Sequence, residues 1–239
     1  MIYGFIISAG NQSRFKMELP KSLVDVHGKS LLFRNVEIMK KYCDEIYVVC
    51  SFNNEKFFTE ERLNGAKKIV IESGKGSGDA VMKALNTVNV TNDDTCFILW
   101  GDALQKPKIY QTLIKEYAGI SLVPCVYETN PYVQLVQDGN KLTAKFSKFN
   151  EKITAGYHDL SLFYFNARDL KTKLNKFKDK IWDKQTNNYI HIHGNEMELL
   201  DVFNETNIKA NIVEFKHYKD FAFNTVEQLN DLIKDLDIK

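Results

Sequence analysis

Two cations, Arg14 and Lys21, follow closely on a run of small residues, Ser8-Ala9-Gly10-Asn11-Gln12-Ser13. Ala9 and Gly10 carry little or no side chain, so the backbone there can approach a ligand and aim N–H groups at anionic oxygens. A guanidinium forks across two phosphate oxygens, while a lysine ammonium acts as a point charge. Together they suit a triphosphate whose leaving group is pyrophosphate. A second small-residue stretch, Ser73-Gly74-Lys75-Gly76-Ser77-Gly78, repeats the loop chemistry. Asp102, a carboxylate just past the end of an apolar run, is an oxygen donor of the kind Mg²⁺ takes, a hard cation bound through one or two carboxylates and the substrate phosphates. Each feature also has a plainer reading. The loops are tight turns, the cations ordinary surface residues, Asp102 a turn or N-cap residue, and Asn224 or Thr225 the cap of a helix with Glu227 nearby.

These residues need elements to hold them. Ile2–Ile7 is an apolar run that breaks at small residues, a buried strand feeding the first loop. Leu32, Val36 and Met39 recur at helical spacing within 31–42, with Lys40 and Lys41 at the C-terminal end. Strands are expected at 46–50 and 68–71, with a helix over 55–63 between them. The second loop then lies between a strand and a helix, where open α/β sheets bind ligands. Thr95–Trp100 is the most apolar strand and ends at Gly101-Asp102. After a helix at 107–117 and a strand at 120–127 the pattern alternates. Residues 132–136 and 141–149 read as a hairpin about Asp138-Gly139-Asn140, and 159–165 as a further strand. Residues 167–205 read as helices with a polar interruption at 184–188, a candidate partner-contacting segment. His191-x-His193 has no carboxylate or third His at ligand spacing and is set aside as a metal pair. A strand at 210–215 and a last helix complete the pattern of a mixed α/β sheet.

Ala9-Gly10, Arg14, Pro20-Lys21 and Val26-x-Gly28-Lys29-Ser30-Leu31-Leu32, in this order and spacing, resemble the signature of the nucleotidyltransferases that make NDP-sugars and related activated metabolites. The spacing from Arg14 to Lys21 is most similar to the uridylyltransferase domain acting on N-acetylglucosamine 1-phosphate. The resemblance extends through Gly76-Ser77-Gly78, Gly101-Asp102 and Asn224-Thr225…Leu229, nearly the whole chain. It implies a Rossmann-like three-layer fold with a mixed central sheet and a small antiparallel acceptor lobe. It also implies Arg14 and Lys21 as catalytic residues, and nucleotide binding by Ser8, Ala9, Gly10, Asn11, Gln12, Ser13, Gly74, Gly76, Ser77 and Gly78. Asp102 and Asn224 would hold Mg²⁺, and Lys148, with Lys145 nearby, and Asp159 would meet the acceptor. Two departures stand out. Gln12 replaces the family's usual second glycine, and Gly74 stands where a base-reading Gln is common, which leaves CTP and UTP both open.

At 239 residues the chain is expected to form one domain, with a nucleotide half at about 1–118 and an acceptor half at about 119–239. A net charge of +1 provides no global field for nucleic acid. The four cysteines lack Cys-x-x-Cys spacing and read as buried thiols in a reducing compartment. The start has neither the basic flank nor the apolar length of a signal peptide, and no run is long enough to span a bilayer. A cytoplasmic protein, monomer or homodimer, is expected, and no hexapeptide repeat announces an acyltransferase-type β-helix. The function expected from the resemblance is Mg²⁺-dependent transfer of an NMP from CTP or UTP to a phosphorylated metabolite, a sugar phosphate first, in cell-surface polysaccharide precursor synthesis. A cytidylyltransferase for a phosphorylated alcohol, amine or amino-acid derivative is the alternative, and a catalytically silent nucleotide-binding protein is the alternative of another class. A glycosyltransferase fits less well, because Leu104 stands where an Asp-x-Asp would need its second carboxylate.

Overall fold

The computed structural model describes residues 1–10, 18–72, 74–149, 152–192, 194–219, 222–223 and 225–235. A large sheet carries β1 (Ile2–Ile7), β4 (Glu45–Ser51), β5 (Lys67–Ile71) and β6 (Thr95–Trp100), followed by β7 (Ser121–Thr129), β8 (Val133–Asp138), β9 (Lys141–Phe146), β10 (Ala155–Asp159), β11 (Leu162–Asn166) and β14 (Ala210–Glu214). Two small ribbons pair β2 (Asp25–Val26) with β3 (Lys29–Ser30) and β12 (Trp182–Asp183) with β13 (Asn188–Tyr189). The helices are α1 (Leu31–Met39), α2 (Glu60–Leu63), α3 (Ser77–Asn86), α4 (Pro107–Glu116), α5 (Ala167–Ile181), α6 (Asp201–Glu205) and α7 (Val226–Asp235).

The spatial order is β5-β4-β1-β6-β11-β7-β10-β8-β9, with β14 alongside β7. Parallel pairing joins β5, β4, β1 and β6; β11 and the strands beyond bring in antiparallel pairs. The chain leaves β1 for β4 on one side and later fills β6 on the other, so a crevice opens at the carboxyl ends of these strands. That is where the first loop and Asp102 fall.

Strand alternation builds the two faces. Tyr3 and Phe5 of β1 and Cys96 and Ile98 of β6 pack with α3, α5 and α6, while Ile6, Phe97 and Leu99 pack with α1, α2 and α4. The mixed sheet with helices on both faces and an antiparallel extension is the architecture the sequence leads one to expect. Cys50, Cys96 and Cys125 are buried free thiols, and burial pushes the Cys43 thiol up to about 12, so all four are poor nucleophiles. Among the described residues no helix is long and apolar enough to cross a membrane.

Four local expectations are corrected. The helix expected over 55–63 is a 3₁₀ turn, Glu55–Phe57, and a separate short α2, because Phe58 is driven into the core between them. The strand expected at 159–165 is two strands, β10 and β11, broken at Leu160-Ser161, where the Asp159 carboxylate accepts from the Ser161 amide at 2.9 Å and Ser161 takes φ 59°. Lys148 belongs not to a strand but to a 3₁₀ turn, Ser147–Phe149, after β9 ends. The interruption after α5 extends well beyond 184–188, through the β12–β13 ribbon and an irregular segment to α6. At the α7 cap Thr225 Oγ1 accepts from the Gln228 amide and Gln228 Oε1 from the Thr225 amide, both at 3.2 Å, a reciprocal box, and hydrogen bonds from its own amide and from Thr225 hold the nearby Glu227 carboxyl below the usual carboxylate range.

Candidate active site

A cleft of about 810 Å³ opens over the carboxyl ends of β1 and β6. Ala9 and Gly10 line it from the first loop, Gly74, Gly76 and Ser77 from the second, and Trp100 and Asp102 from β6 and its tip. The opposite wall belongs to the antiparallel lobe and the later segments, with Tyr132, Lys148, Asp159, Glu196 and Glu198.

Lys21 opens a 3₁₀ turn, Lys21–Leu23, that follows Pro20. Its Nζ donates to Asp102 Oδ2 and to the Phe223 carbonyl, each at 3.0 Å. The expected phosphate lysine and the expected metal carboxylate therefore meet, and residues 202 positions apart are tied at one point. Lys21 is largely shielded and Asp102 about one-third exposed, so the carboxylate still faces the cleft. A carboxylate at a strand tip, aimed at a cavity sized for phosphorylated ligands, is the donor chemistry Mg²⁺ requires, and the remaining coordination sites would fall to phosphate oxygens and water. Asn224, the second expected donor, lies outside the described residues, as do Asn11, Gln12, Ser13 and Arg14.

The first loop is braced from behind. The Ser8 amide donates to the Val49 carbonyl at 2.8 Å, and the Ser8 carbonyl accepts from Asn54 Nδ2 at 2.9 Å. Both backbone groups of Ser8 thus already have partners, and among the described residues of this loop Ala9 and Gly10 line the cleft. Asn54, which also accepts from the Ser51 amide at 2.8 Å, escaped the sequence reading because nothing local marks a residue that reaches across from the neighbouring strand.

The second loop is built around another piece of chain. The Met197 carbonyl accepts from the amides of Gly78 at 2.8 Å and Asp79 at 3.3 Å, and the Met197 amide donates to the Lys75 carbonyl at 2.8 Å. The Gly78 and Asp79 amides in the first turn of α3 are therefore capped by protein. A Cβ on Gly76 would stand 2.5 Å from the Met197 carbonyl oxygen, and one on Gly78 2.9 Å from Glu198 backbone atoms. Gly76 also adopts φ 103°, so its lack of a side chain is demanded twice over. Gly76→Ala is expected to lower unfolding free energy by about 2 kcal/mol or more in urea titrations, the scale of a strained backbone position with overpacking. Gly10→Ala, with nothing within 4 Å of the added Cβ, is expected to stay within about 0.5 kcal/mol of wild type.

On the opposite wall, Lys148 forms an ion pair with Glu198 and lies 3.9 Å from Glu196 Oε2. Burial, the largest single influence, pushes the Lys148 ammonium down, but the Glu198 hydrogen bond and the negative charge of Glu198 and Glu196 together hold the group above the ordinary lysine range. Burial likewise raises Glu198, yet Lys148 and Ser77 hold it below the usual carboxylate range. Asp159 lines the same wall with one oxygen engaged by Ser161. Glu196, Met197 and Glu198 were not anticipated: they sit in an irregular segment whose only local signal is acidity. His191 packs away from this wall, with Nδ1 3.6 Å from Asp201 and Nε2 3.4 Å from Glu205, and His193 lies outside the described residues.

A mixed α/β sheet with glycine-bearing loops and a strand-tip aspartate over one cleft defines a nucleotide-handling domain of the nucleotidyltransferase class. Residues 4–152 match the MobA-like NTP transferase domain, and the chain belongs to that family. It is 28% identical over 191 residues to the bifunctional protein GlmU of Buchnera aphidicola subsp. Schizaphis graminum, covering 73% of this chain and 39% of that protein. GlmU of Alkaliphilus metalliredigens is 22% identical over 246 residues, covering 95% of this chain and 50% of that protein. The chain thus spans about half or less of the length of these curated relatives. Among solved structures, a putative glucose-1-phosphate thymidylyltransferase from Bacillus anthracis superposes with a TM-score of 0.74 at 14% identity, covering 100% of this chain and 97% of that one. The CTP:phosphocholine cytidylyltransferase LicC of Streptococcus pneumoniae gives 0.71 at 15%, covering 99% of both. At such identities these two structures speak for the fold.

Proposed function

We propose that this protein transfers a nucleotidyl group from a pyrimidine nucleoside triphosphate to the phosphate of a small metabolite, with release of pyrophosphate. The observation that carries this reading is the Lys21–Asp102 pair at the mouth of the β1/β6 crevice, facing a cleft with both small-residue loops on one side and the acceptor lobe on the other. An acceptor phosphate oxygen attacks the α-phosphorus, the bond to the bridging oxygen breaks, and the electron pair leaves with pyrophosphate. An ionised phosphate is already the nucleophile, so no covalent enzyme intermediate is needed, and positioning and charge neutralisation carry the rate. Lys21 stabilises charge on the phosphates near the reacting centre, and Arg14 clamps the departing pyrophosphate. Asp102, with Asn224, would hold Mg²⁺, which when bound supplies charge neutralisation and orients the phosphates. Lys148 and Asp159 line the wall that meets the acceptor, a sugar phosphate by analogy with the GlmU relatives, for an activated precursor of a cell-surface polysaccharide.

A second reading, a CTP-dependent enzyme for a phosphorylated alcohol or amine, is favoured by the acceptor wall itself. Asp159, Glu196 and Glu198 outnumber Lys148 there, and the exposed ring of Tyr132 stands among them, a surface that accepts an ammonium more readily than a neutral sugar. Pyrophosphate release with CTP, UTP, ATP and GTP against glucose 1-phosphate, N-acetylglucosamine 1-phosphate, inositol 1-phosphate and phosphocholine tests both readings. Turnover with a pyrimidine nucleotide supports the first, and phosphocholine as sole acceptor moves the choice to the second. Nucleotide binding without turnover would leave a silent nucleotide-binding protein.

The base is expected to be a pyrimidine, with CTP slightly ahead of UTP. Gly74 lines the cleft without a side-chain amide that could accept from the N3–H of uracil, so one reason to prefer uracil is missing. In thermal-shift titrations with Mg²⁺, a pyrimidine nucleotide at about 100 times its Kd is expected to add about 2.7 kcal/mol. Stabilisation by ATP or GTP alone would contradict this.

A further inference from the structure

Three hydrogen-bonding side chains far apart in sequence form one line across the cleft. Ser77, the first residue of α3, donates its hydroxyl to Glu198 Oε2 at 2.6 Å and accepts from the Leu199 amide at 2.9 Å. The other Glu198 oxygen is taken by the Lys148 ammonium. Lys148 stands on the 3₁₀ turn that follows the β8–β9 hairpin, with its Nζ 4.7 Å from the Phe149 ring centre. Ser77 belongs to the nucleotide side of the cleft, Lys148 to the acceptor side, and the Glu198 side chain, only 14% exposed, joins them.

The backbone around this line is fixed on the nucleotide side. Met197 is bonded to Lys75, Gly78 and Asp79, and the glycines at 76 and 78 leave room for it. Lys75 donates to the Asn187 carbonyl and lies over the Trp182 ring at 5.0 Å, which fastens the β12–β13 ribbon to the same loop. The residue that presents the acceptor-side lysine is therefore carried by the nucleotide loop and not by the acceptor lobe. A ligand that shifts Ser77 must shift Glu198, and with it the partner of Lys148.

On the nucleotidyl-transfer reading, we propose that Glu198 is a positioning residue that couples the two halves of the cleft, holding Lys148 at the acceptor wall and transmitting to it the occupancy of the loop at Ser77. Removal of the carboxylate frees a half-buried ammonium from its partner. A change at Ser77 alone leaves the ion pair intact but cuts its link to the nucleotide side. The two variants therefore separate positioning from coupling.

Lys148 reactivity, read by acetic anhydride labelling and mass spectrometry of the full chain, tests this without any acceptor. Glu198→Gln is expected to raise Lys148 labelling severalfold, since an ammonium without its anionic partner gives up its proton more readily and is no longer held against the wall. Mg²⁺ with CTP or UTP is expected to change Lys148 labelling at least severalfold in wild type and in Ser77→Thr, which keeps the hydroxyl, and to leave it unchanged in Ser77→Ala. Labelling insensitive to Glu198→Gln, insensitive to every nucleotide, or equally responsive in Ser77→Ala would each overturn the proposal. Pyrophosphate release, measured separately on the same samples, tests the transfer reading: a labelling response without turnover refutes transfer and leaves the coupling standing. If Glu198→Gln fails to fold, the Ser77 pair still decides.

Discussion

Replacing Asp102 with Ala is expected to lower pyrophosphate release by about a thousandfold or more while the protein remains folded. The carboxylate sits at the tip of β6, one-third exposed to the cleft, and not in the apolar layers on either face of the sheet. Its loss removes the ligand proposed for Mg²⁺ and leaves Lys21 with its bond to the Phe223 carbonyl. A metal that neutralises developing charge is worth several kcal/mol, at about 1.4 kcal/mol per decade of rate. The stability cost is that of one partly exposed pair, about 1 kcal/mol, which shifts the melting temperature by about 2–4 °C in a chain of this size. Asp102→Asn keeps the volume and an acceptor for Lys21, so it isolates the charge. Turnover within a few-fold of wild type in both variants would remove Asp102 from the metal role.

Lys21→Ala and Arg14→Ala are each expected to lower turnover about a hundredfold, the loss seen when one preorganised contact to the transition state is removed. Lys21 is held for this by two bonds at 3.0 Å, one to Asp102 and one to the Phe223 carbonyl, in a largely shielded setting. A group fixed in advance gains more with the transition state than with the substrate, so the effect belongs in kcat. Lys21→Arg is not expected to rescue, because a planar fork does not reproduce the directions of an ammonium that meets Asp102 and a backbone carbonyl at once. Equal losses in nucleotide affinity and turnover would point to uniform binding instead, and unchanged rates would make the opening loop mere surface.

The parts of the fold legible in the sequence are those set by local periodicity and short-range turn chemistry. The runs at 2–7 and 95–100 read as buried strands because every residue is apolar or small, and Thr225 was legible as a helix cap, though its Gln228 partner was not. The strand-tip position of Asp102 followed from the same pattern. What the sequence withheld depends on distant chain. The break at Leu160-Ser161 is held by the Asp159 carboxylate and by Gln105, whose Nε2 bonds the Leu160 carbonyl from 55 residues away. The glycines at 76 and 78 read as a ligand-hugging loop, whereas the backbone they admit is that of Met197 and Glu198. The resemblance named Lys148 as an acceptor residue, but no pattern in residues 140–150 announces a carboxylate fifty positions further on.

Nucleotidyl transfer requires that the bond broken lie between the α- and β-phosphates and that the nucleotidyl group reach an acceptor phosphate. The most direct measurement follows CTP and UTP carrying label separately at the α- and γ-phosphorus, with Mg²⁺ and the acceptor panel. The α-label is expected in a nucleoside diphosphate-linked product and the γ-label in pyrophosphate, in equal amounts and only when an acceptor is present. Label from the γ-position in the acceptor, or α-label released only as free nucleoside monophosphate, would contradict such transfer.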